Sequence, residues 1–419
     1  VADLTTFDAF LKLNYGDEQR VQTLVYTDNA FLAWIKKIGN TGGKKLIAPV
    51  LFGAGQAISS SFAATQLIAA SSGGSTQSTD WVIDWGDYYA DLEIDNKLME
   101  LSNGENTAYL EARRVEIDNL HRQFGQNLNA YLLRGRARNL GSFTINAGVC
   151  TMTNADDIVH VLPGMWLHAS ANTGGSTAHT LLGSGSIGYV IGVNHNEGTF
   201  TVSDSDGGAA AVPTGWTGTM YVFRYGDFGG TSSPNRIVDG FDDWCPSSDP
   251  DGTVFNGVTR TRHITALSGV RLSSAEVLGQ STEYRIKRLA ARMSNRGFGK
   301  PEVCFLNPET WQDVADGLEA RGIREFGKDA VFGFRSFQVA TGGGTIEVFS
   351  DRAVPSKAIY MLSKDAFVLK YPQEKMISPV NGDGLTMLRK NNANKYEYRL
   401  ALYPAVEACP GKLGRTLAA

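Results

Sequence analysis

Residues 102–135 read SNGENTAYLEARRVEIDNLHRQFGQNLNAYLLRG. Within them Leu110, Ile117, Leu120, Phe124, Leu128, Tyr131 and Leu132 recur at spacings of three, four and seven, which draws one apolar stripe along a helix. Ser102 and Glu105 have the spacing of a capping box, in which the hydroxyl accepts from an orphan amide and the carboxylate reaches back to the serine amide. Gly135 supplies a stop, with Arg134, Arg136 and Arg138 beside the negative end of the helix dipole. At about 1.5 Å per residue such a helix is roughly 50 Å long, well beyond the usual length in a globular domain. It is expected to be a strut on which other elements pack, although an ordinary amphipathic core helix would give the same pattern.

Upstream, residues 1–45 read as a helical or extended arm in which Phe31, Trp34, Ile35 and Ile38 form a short apolar face. No Lys or Arg lies between Lys45 and Lys97, whereas Asp80, Asp84, Asp87, Asp91, Glu93 and Asp95 crowd the second half of that stretch. Its first half, 46–70, is small, apolar and glycine-spotted. Ser71-Ser72-Gly73-Gly74-Ser75 reads as the tip of a long hairpin, with Trp81, Ile83 and Trp85 alternating along the returning strand. A two-stranded finger is marginal alone, so it is expected to lie on another surface, either a neighbour's or that of its own domain.

Downstream, residues 140–228 carry no Lys or Arg before Arg224, and glycine punctuates short β-rich runs that close on Tyr221, Phe223 and Tyr225. This reads as a small antiparallel barrel or sandwich inserted into a parent fold. Residues 229–265 are loop-rich. Beyond them, Ser273 and Glu276 form a second capping box, expected to open a helix running through Leu278, Ile286, Leu289 and Met293 to Gly297. Val303 to Leu306 is a buried-strand run, followed by Asn307 and Pro308 as cap and first residue of a helix with Trp311, Val314, Ala315 and Leu318 on its face. Ile346, Val348 and the run from Ile359 to Leu362 add strands, and residues 396–403 alternate as an antiparallel strand. The fold class is α+β.

The 419 residues have room for two or three domains, and 47 glycines, above the average of about 7%, fit a turn-rich, strand-rich chain. A net charge of −4 argues against a dedicated nucleic-acid grip. Cys150, Cys245, Cys304 and Cys409 are scattered without CxxC pairing, as in a reducing compartment. No signal peptide or bilayer-spanning run is visible, and the chain reads as soluble. Chemical motifs fail individually. In residues 39–45 Ile38 stands where a phosphate loop needs its first glycine, and Lys45 where it needs Ser or Thr. The aspartates at 204–206 and 249–251 lack the distal Glu of a calcium loop, and His160, His168, His179 and His195 match no zinc spacing. No catalytic residue, metal or cofactor is expected.

A glycine-tipped finger, a long capped helix, a strand–helix domain and β-rich closing segments follow one another in this chain. The phrases Ile237-Val238-Asp239-Gly240-Phe241-Asp242-Asp243-Trp244, Phe255-Asn256-Gly257-Val258-Thr259-Arg260, Lys300-Pro301-Glu302, Asn307-Pro308-Glu309-Thr310-Trp311, Val354-Pro355 and Ile359-Tyr360-Met361-Leu362 accompany that order. Together they resemble the HK97-like major capsid proteins of tailed bacteriophages. The resemblance spans nearly the whole chain except 140–228. It implies an N-terminal arm at 1–45, an extended E-loop at 46–96 and a P-domain with its spine helix at 97–139. It further implies the inserted β-rich domain at 140–228, a connecting loop and P-domain segment at 229–264, an A-domain at 265–360, and C-terminal segments at 361–419 returning through both. Function would be self-assembly into hexamers and pentamers of an icosahedral head enclosing double-stranded DNA, built in the host cytoplasm and located in the virion. Partners would be further copies of the chain, a portal and decoration proteins, with no membrane; no long helical scaffolding segment is visible before Phe7, so scaffolding would come from a separate protein or from a segment already cut away. Without a lysine in the E-loop, the Lys–Asn crosslink of some members is not expected. The finger would cross a neighbour, with Asp80, Asp84, Asp87 and Asp91 facing Arg113, Arg114 and Arg122 while Trp81, Ile83 and Trp85 supply apolar burial. The alternatives are a β-rich binding or decoration module of a virion, with 140–228 recognising glycans or a partner, and a hydrolase.

Overall fold

The computed structural model describes residues 29–53, 58–70, 76–96, 106–135, 139–146, 148–171, 187–206, 208–227, 238–252, 254–319, 336–342, 344–380, 388–390 and 393–418. Its helices of use below are α1 (Ala30–Trp34), α2 (Phe62–Ala70), α3 (Asn106–Arg134), α4 (Thr282–Arg296) and α5 (Pro308–Glu319). The stripe read from the sequence is the inner face of α3: Ile117, Phe124, Leu128, Tyr131 and Leu132 are buried and Leu120 partly so. Toward its C-terminus the helix is enclosed more fully, Ala130, Leu133 and the polar Asn129 and His121 being buried too. It ends at Gly135 with φ +67°, and a side chain there would collide with the Asp243 carboxylate. Gly240 abuts Gly135 equally closely, so the two glycines let this end of α3 meet the short helix Phe241–Trp244. The Ser102–Glu105 cap and the side chain of Leu110 lie outside the described residues.

A six-stranded mixed sheet stands on the other side of this core. Its order is Val270–Arg271, Leu413–Leu417, Ala358–Leu362, Val303–Leu306, Gly344–Ser350, Ser336–Thr341. Val303–Leu306 is central and buried throughout, running parallel to Gly344–Ser350 and antiparallel to Ala358–Leu362. Period-two alternation sends Cys304, Leu306, Val348, Ile359 and Met361 toward α4 and α5, and Val303, Phe305, Phe349, Tyr360 and Leu362 toward the core shared with α3 and α1. Asn307 caps α5 through Oδ1, which accepts from the Glu309 amide at 3.1 Å. The Ser273–Glu276 box differs from expectation: it closes a 3-10 turn, Ser274–Val277, while α4 starts later with Ser281 accepting from the Tyr284 amide. Leu278, expected on the helix face, sits in the intervening turn and is exposed. A box needs only one turn of helical backbone, so its pattern does not fix the length of the helix it opens.

The N-terminal segment is tied into the same core. Phe31 lies 5.2 Å from Phe305 and 5.4 Å from Phe367, and Lys36–Ile38 adds in parallel to Phe367–Lys370. Tyr88–Asp95 pairs along its full length with Lys395–Leu402, and this sheet rests on α3 through Tyr88, whose ring is 4.3 Å from Phe124. Gly141–Asn146, Val149–Met152, Trp166–Ser170, Ile187–Asn194, Thr199–Ser203 and Thr219–Arg224 close an antiparallel barrel around Phe143, Cys150, Phe200, Trp216 and Val222.

Candidate self-association surface

Leu46–Gly53 and Gln77–Ile83 form a two-stranded arm in the register Ile47↔Val82, Pro49↔Asp80, Leu51↔Ser78. Alternation gives it two unlike faces. One carries Ala48, Phe52, Trp81 and Ile83 into the chain's own core, where Trp81 is 1% exposed and meets Trp244 at 5.1 Å and Phe255 at 5.9 Å, both edge-on. The other presents Ile47, Pro49 and Leu51 to solvent.

Between its two strands the arm does not continue as a strand through residues 58–70, and the tip expected at 71–75 lies outside the described residues. The arm turns into α2, Phe62-Ala63-Ala64-Thr65-Gln66-Leu67-Ile68-Ala69-Ala70, which has no buried residue. Phe62 is 77% and Leu67 74% exposed, and Ile58 just before the helix is exposed too. Not one charged side chain lies between Lys45 and Asp80. A nine-residue helix is marginal in water by itself, and single exposed apolar residues are ordinary, but a run of them on one uncharged projection is the mark of a surface meant to be covered. The sequence reading missed α2 because glycines and serines on either side suggested a turn. The charge-free run was the available signal.

The predicted contact residues are divided by the structure. Trp81 and Ile83 are interior, and Trp85 is half-buried with its Nε1 donating to the Gly43 carbonyl at 2.8 Å. Trp81 and Ile83 therefore stabilise the chain's own fold and offer no free apolar area to a neighbour, while Trp85 keeps part of its surface open. Asp84 pairs with Lys45 of the same arm at 3.1 Å, and Asp80 and Asp87 are exposed. Asp91 is not on the arm: it belongs to Tyr88–Asp95, where desolvation and the nearby Glu397 carboxylate raise its pKa. In the same strand Glu93 accepts from Lys390 and Lys395, which hold its pKa down to about 2. The two-stranded pairing of the arm thus ends at Ile83, and part of the acidic run is matched by cations of the following sheet. Arg122 is exposed on α3, and the side chains of Arg113 and Arg114 lie outside the described residues.

The described residues hold no cluster of three or more metal-ligating side chains, and no helix among them is long and apolar enough to cross a membrane. Cys150, Cys245 and Cys304 are buried thiols whose pKa values burial pushes up, the first two to about 12.

No protein-family model and no curated protein sequence matches the chain. Solved structures do. The capsid asymmetric unit of cyanophage A-1(L) aligns over 94% of this chain and 93% of that one, at 9% identity and a TM-score of 0.52. The SrpI encapsulin complex of Synechococcus elongatus aligns over 92% and 85% at 9% identity and 0.43, and the capsid of an empty GTA particle over 93% and 90% at 9% identity and 0.43. The first of these likenesses establishes the fold. The HK97-like capsid fold expected from the sequence is the fold of this chain.

Proposed function

We propose that this chain is the major capsid subunit of a tailed phage, assembling through hexamers and pentamers into an icosahedral head around double-stranded DNA. One observation carries this reading: over a capsid fold, the arm lifts an uncharged apolar helix that no described residue of the same chain buries. Rings of identical subunits need heterologous contacts that close, and an arm reaching over an adjacent copy provides one. Burying Ile47, Leu51, Phe62 and Leu67 would contribute about 1.5–3 kcal/mol each before the entropic cost of association. The contact face proposed is therefore this one, with Asp80 and Asp87 setting register against Arg122 and its neighbours on α3 of the next copy. In this reading 1–45 is the N-arm, 46–96 the E-loop, 97–139 the P-domain and 265–360 the A-domain. The barrel is an added domain whose lack of Lys and Arg before Arg224 favours the face turned away from DNA.

Negative-stain microscopy and sedimentation of the purified chain, alone and co-expressed with its scaffolding protein, test this. Closed shells with five- and six-fold rings are expected. A compact monomer under both conditions would overturn the proposal.

A further inference from the structure

Between the barrel and α3 lies a cavity of about 320 Å³. One wall is the barrel segment Val159 to Met165 with Arg224, and the other is Gln123, Gln126 and Asn127 of α3 with Arg352. His160 is 7% exposed, and its Nε2 has no hydrogen-bond partner among the described residues. The Arg224 guanidinium leans on the Tyr131 ring, 5.6 Å from the centroid, and donates one long bond of 3.5 Å to the Tyr131 hydroxyl, while its Nε is buried without a partner among the same residues. Arg352 reaches across the seam to donate to the Val159 carbonyl at 3.1 Å. Arg134, deeper in, is already neutralised by Asp157 at 2.5 Å.

From this geometry we infer that the cavity is a binding site for a small tetrahedral oxyanion of the phosphate class, held by Arg224 and His160 from the barrel and by Arg352 from the body. Guanidinium groups recognise oxyanions through paired, charge-assisted hydrogen bonds, and the neutral imidazole adds a donor when its proton is on Nε2. Guanidinium groups surround the His160 ring, with Asp157 paired to Arg134 and the Asp227 carboxylate near Arg224. Burial first, then Arg134, Arg224 and Arg352, all push the His160 pKa well down, so the charges acting on that ring are positive. A bound anion would also pin the barrel to the body, since its ligands come from both sides of the seam.

The test is inorganic phosphate titrated into the full chain at constant ionic strength, read by calorimetry and by thermal unfolding, with chloride as control. Saturable binding near one phosphate per chain is expected, together with a rise in Tm that chloride does not reproduce. R352Q and H160F should each weaken binding by about tenfold or more, in line with loss of one charge-assisted or buried donor. H160F keeps a ring of similar size, so it decides the matter should R352Q fold poorly. Absence of saturable phosphate binding, or binding unchanged in H160F and in a folded R352Q, would overturn the inference.

Discussion

Asn129 and Asp351 show how much one polar pair can organise in this core. The Asn129 Oδ1 accepts from the Leu32 amide at 3.0 Å and its Nδ2 donates to both Asp351 oxygens, at 2.9 and 3.0 Å. Asp351 in turn accepts from the amides of Phe31 and Ala353, each at 2.9 Å. The first amides of α1, left without partners by their own helix, are thus satisfied from α3 and from the loop after Gly344–Ser350. Asn129→Leu should cost about 2–4 kcal/mol in urea unfolding, because it strands an amide and a carboxylate oxygen where water cannot replace the lost partner. His121, buried against Tyr398, has its pKa lowered to about 4, chiefly by desolvation and against the opposing pull of Asp118. The unfolded ring binds its proton near 6.5, so this site's contribution is intact above that pH and is lost as pH falls toward 4. The expected slope from this site is about 1.4 kcal/mol per pH unit within that window. His121→Phe should flatten it in unfolding experiments run across the same range.

At the scale of elements, the two faces of the arm are expected to answer mutation in opposite ways. Trp81→Ala opens a cavity beside Trp244 and Phe255 and should destabilise the chain by about 3–5 kcal/mol. Phe62→Asp with Leu67→Asp touches only exposed positions of α2 and should leave unfolding within about 0.5 kcal/mol per substitution, yet abolish particles seen by microscopy. Particles of unchanged yield from that double variant would refute α2 as the covered surface. The capping turn before α4 gives a separate expectation. Glu276 is held down to about 2 by hydrogen bonds from Arg292 and then from the Ser273 amide. Its stabilising contribution is therefore present above the unfolded carboxyl's value near 4.5 and fades as pH falls through 2. The carboxylate is half exposed, so the effect on global stability should be small, and Glu276→Gln should remove that part of the acid limb.

For the whole molecule, the separate core of the barrel is the feature with the clearest consequence. Phe143, Cys150, Phe200, Trp216 and Val222 pack among themselves, distinct from the clusters around α3 and around α4 and α5. A closed sheet has no unpaired edge to protect, so residues 139–227 expressed alone should fold and give a dispersed amide spectrum. A collapsed spectrum would mean that the barrel depends on its contact with α3. This β character was readable because short alternating runs and turn glycines are local signals. Closure was not, because it depends on Thr219–Arg224 pairing with both Gly141–Asn146 and Trp166–Ser170.

The amino-acid order alone determined the elements whose causes are local: the stripe and glycine stop of α3, the Asn307–Pro308 start of α5, the wholly apolar central strand, and the order of segments that resembles a capsid subunit. Tertiary structure decided which apolar faces are spent. Trp81 and Leu67 read alike as greasy residues of one arm, but Trp81 finds Trp244 and Phe255, more than a hundred and fifty positions downstream, while Leu67 finds nothing among the described residues to bury it. Burial depends on what long-range folding brings to a surface, and periodicity describes a face without saying what meets it.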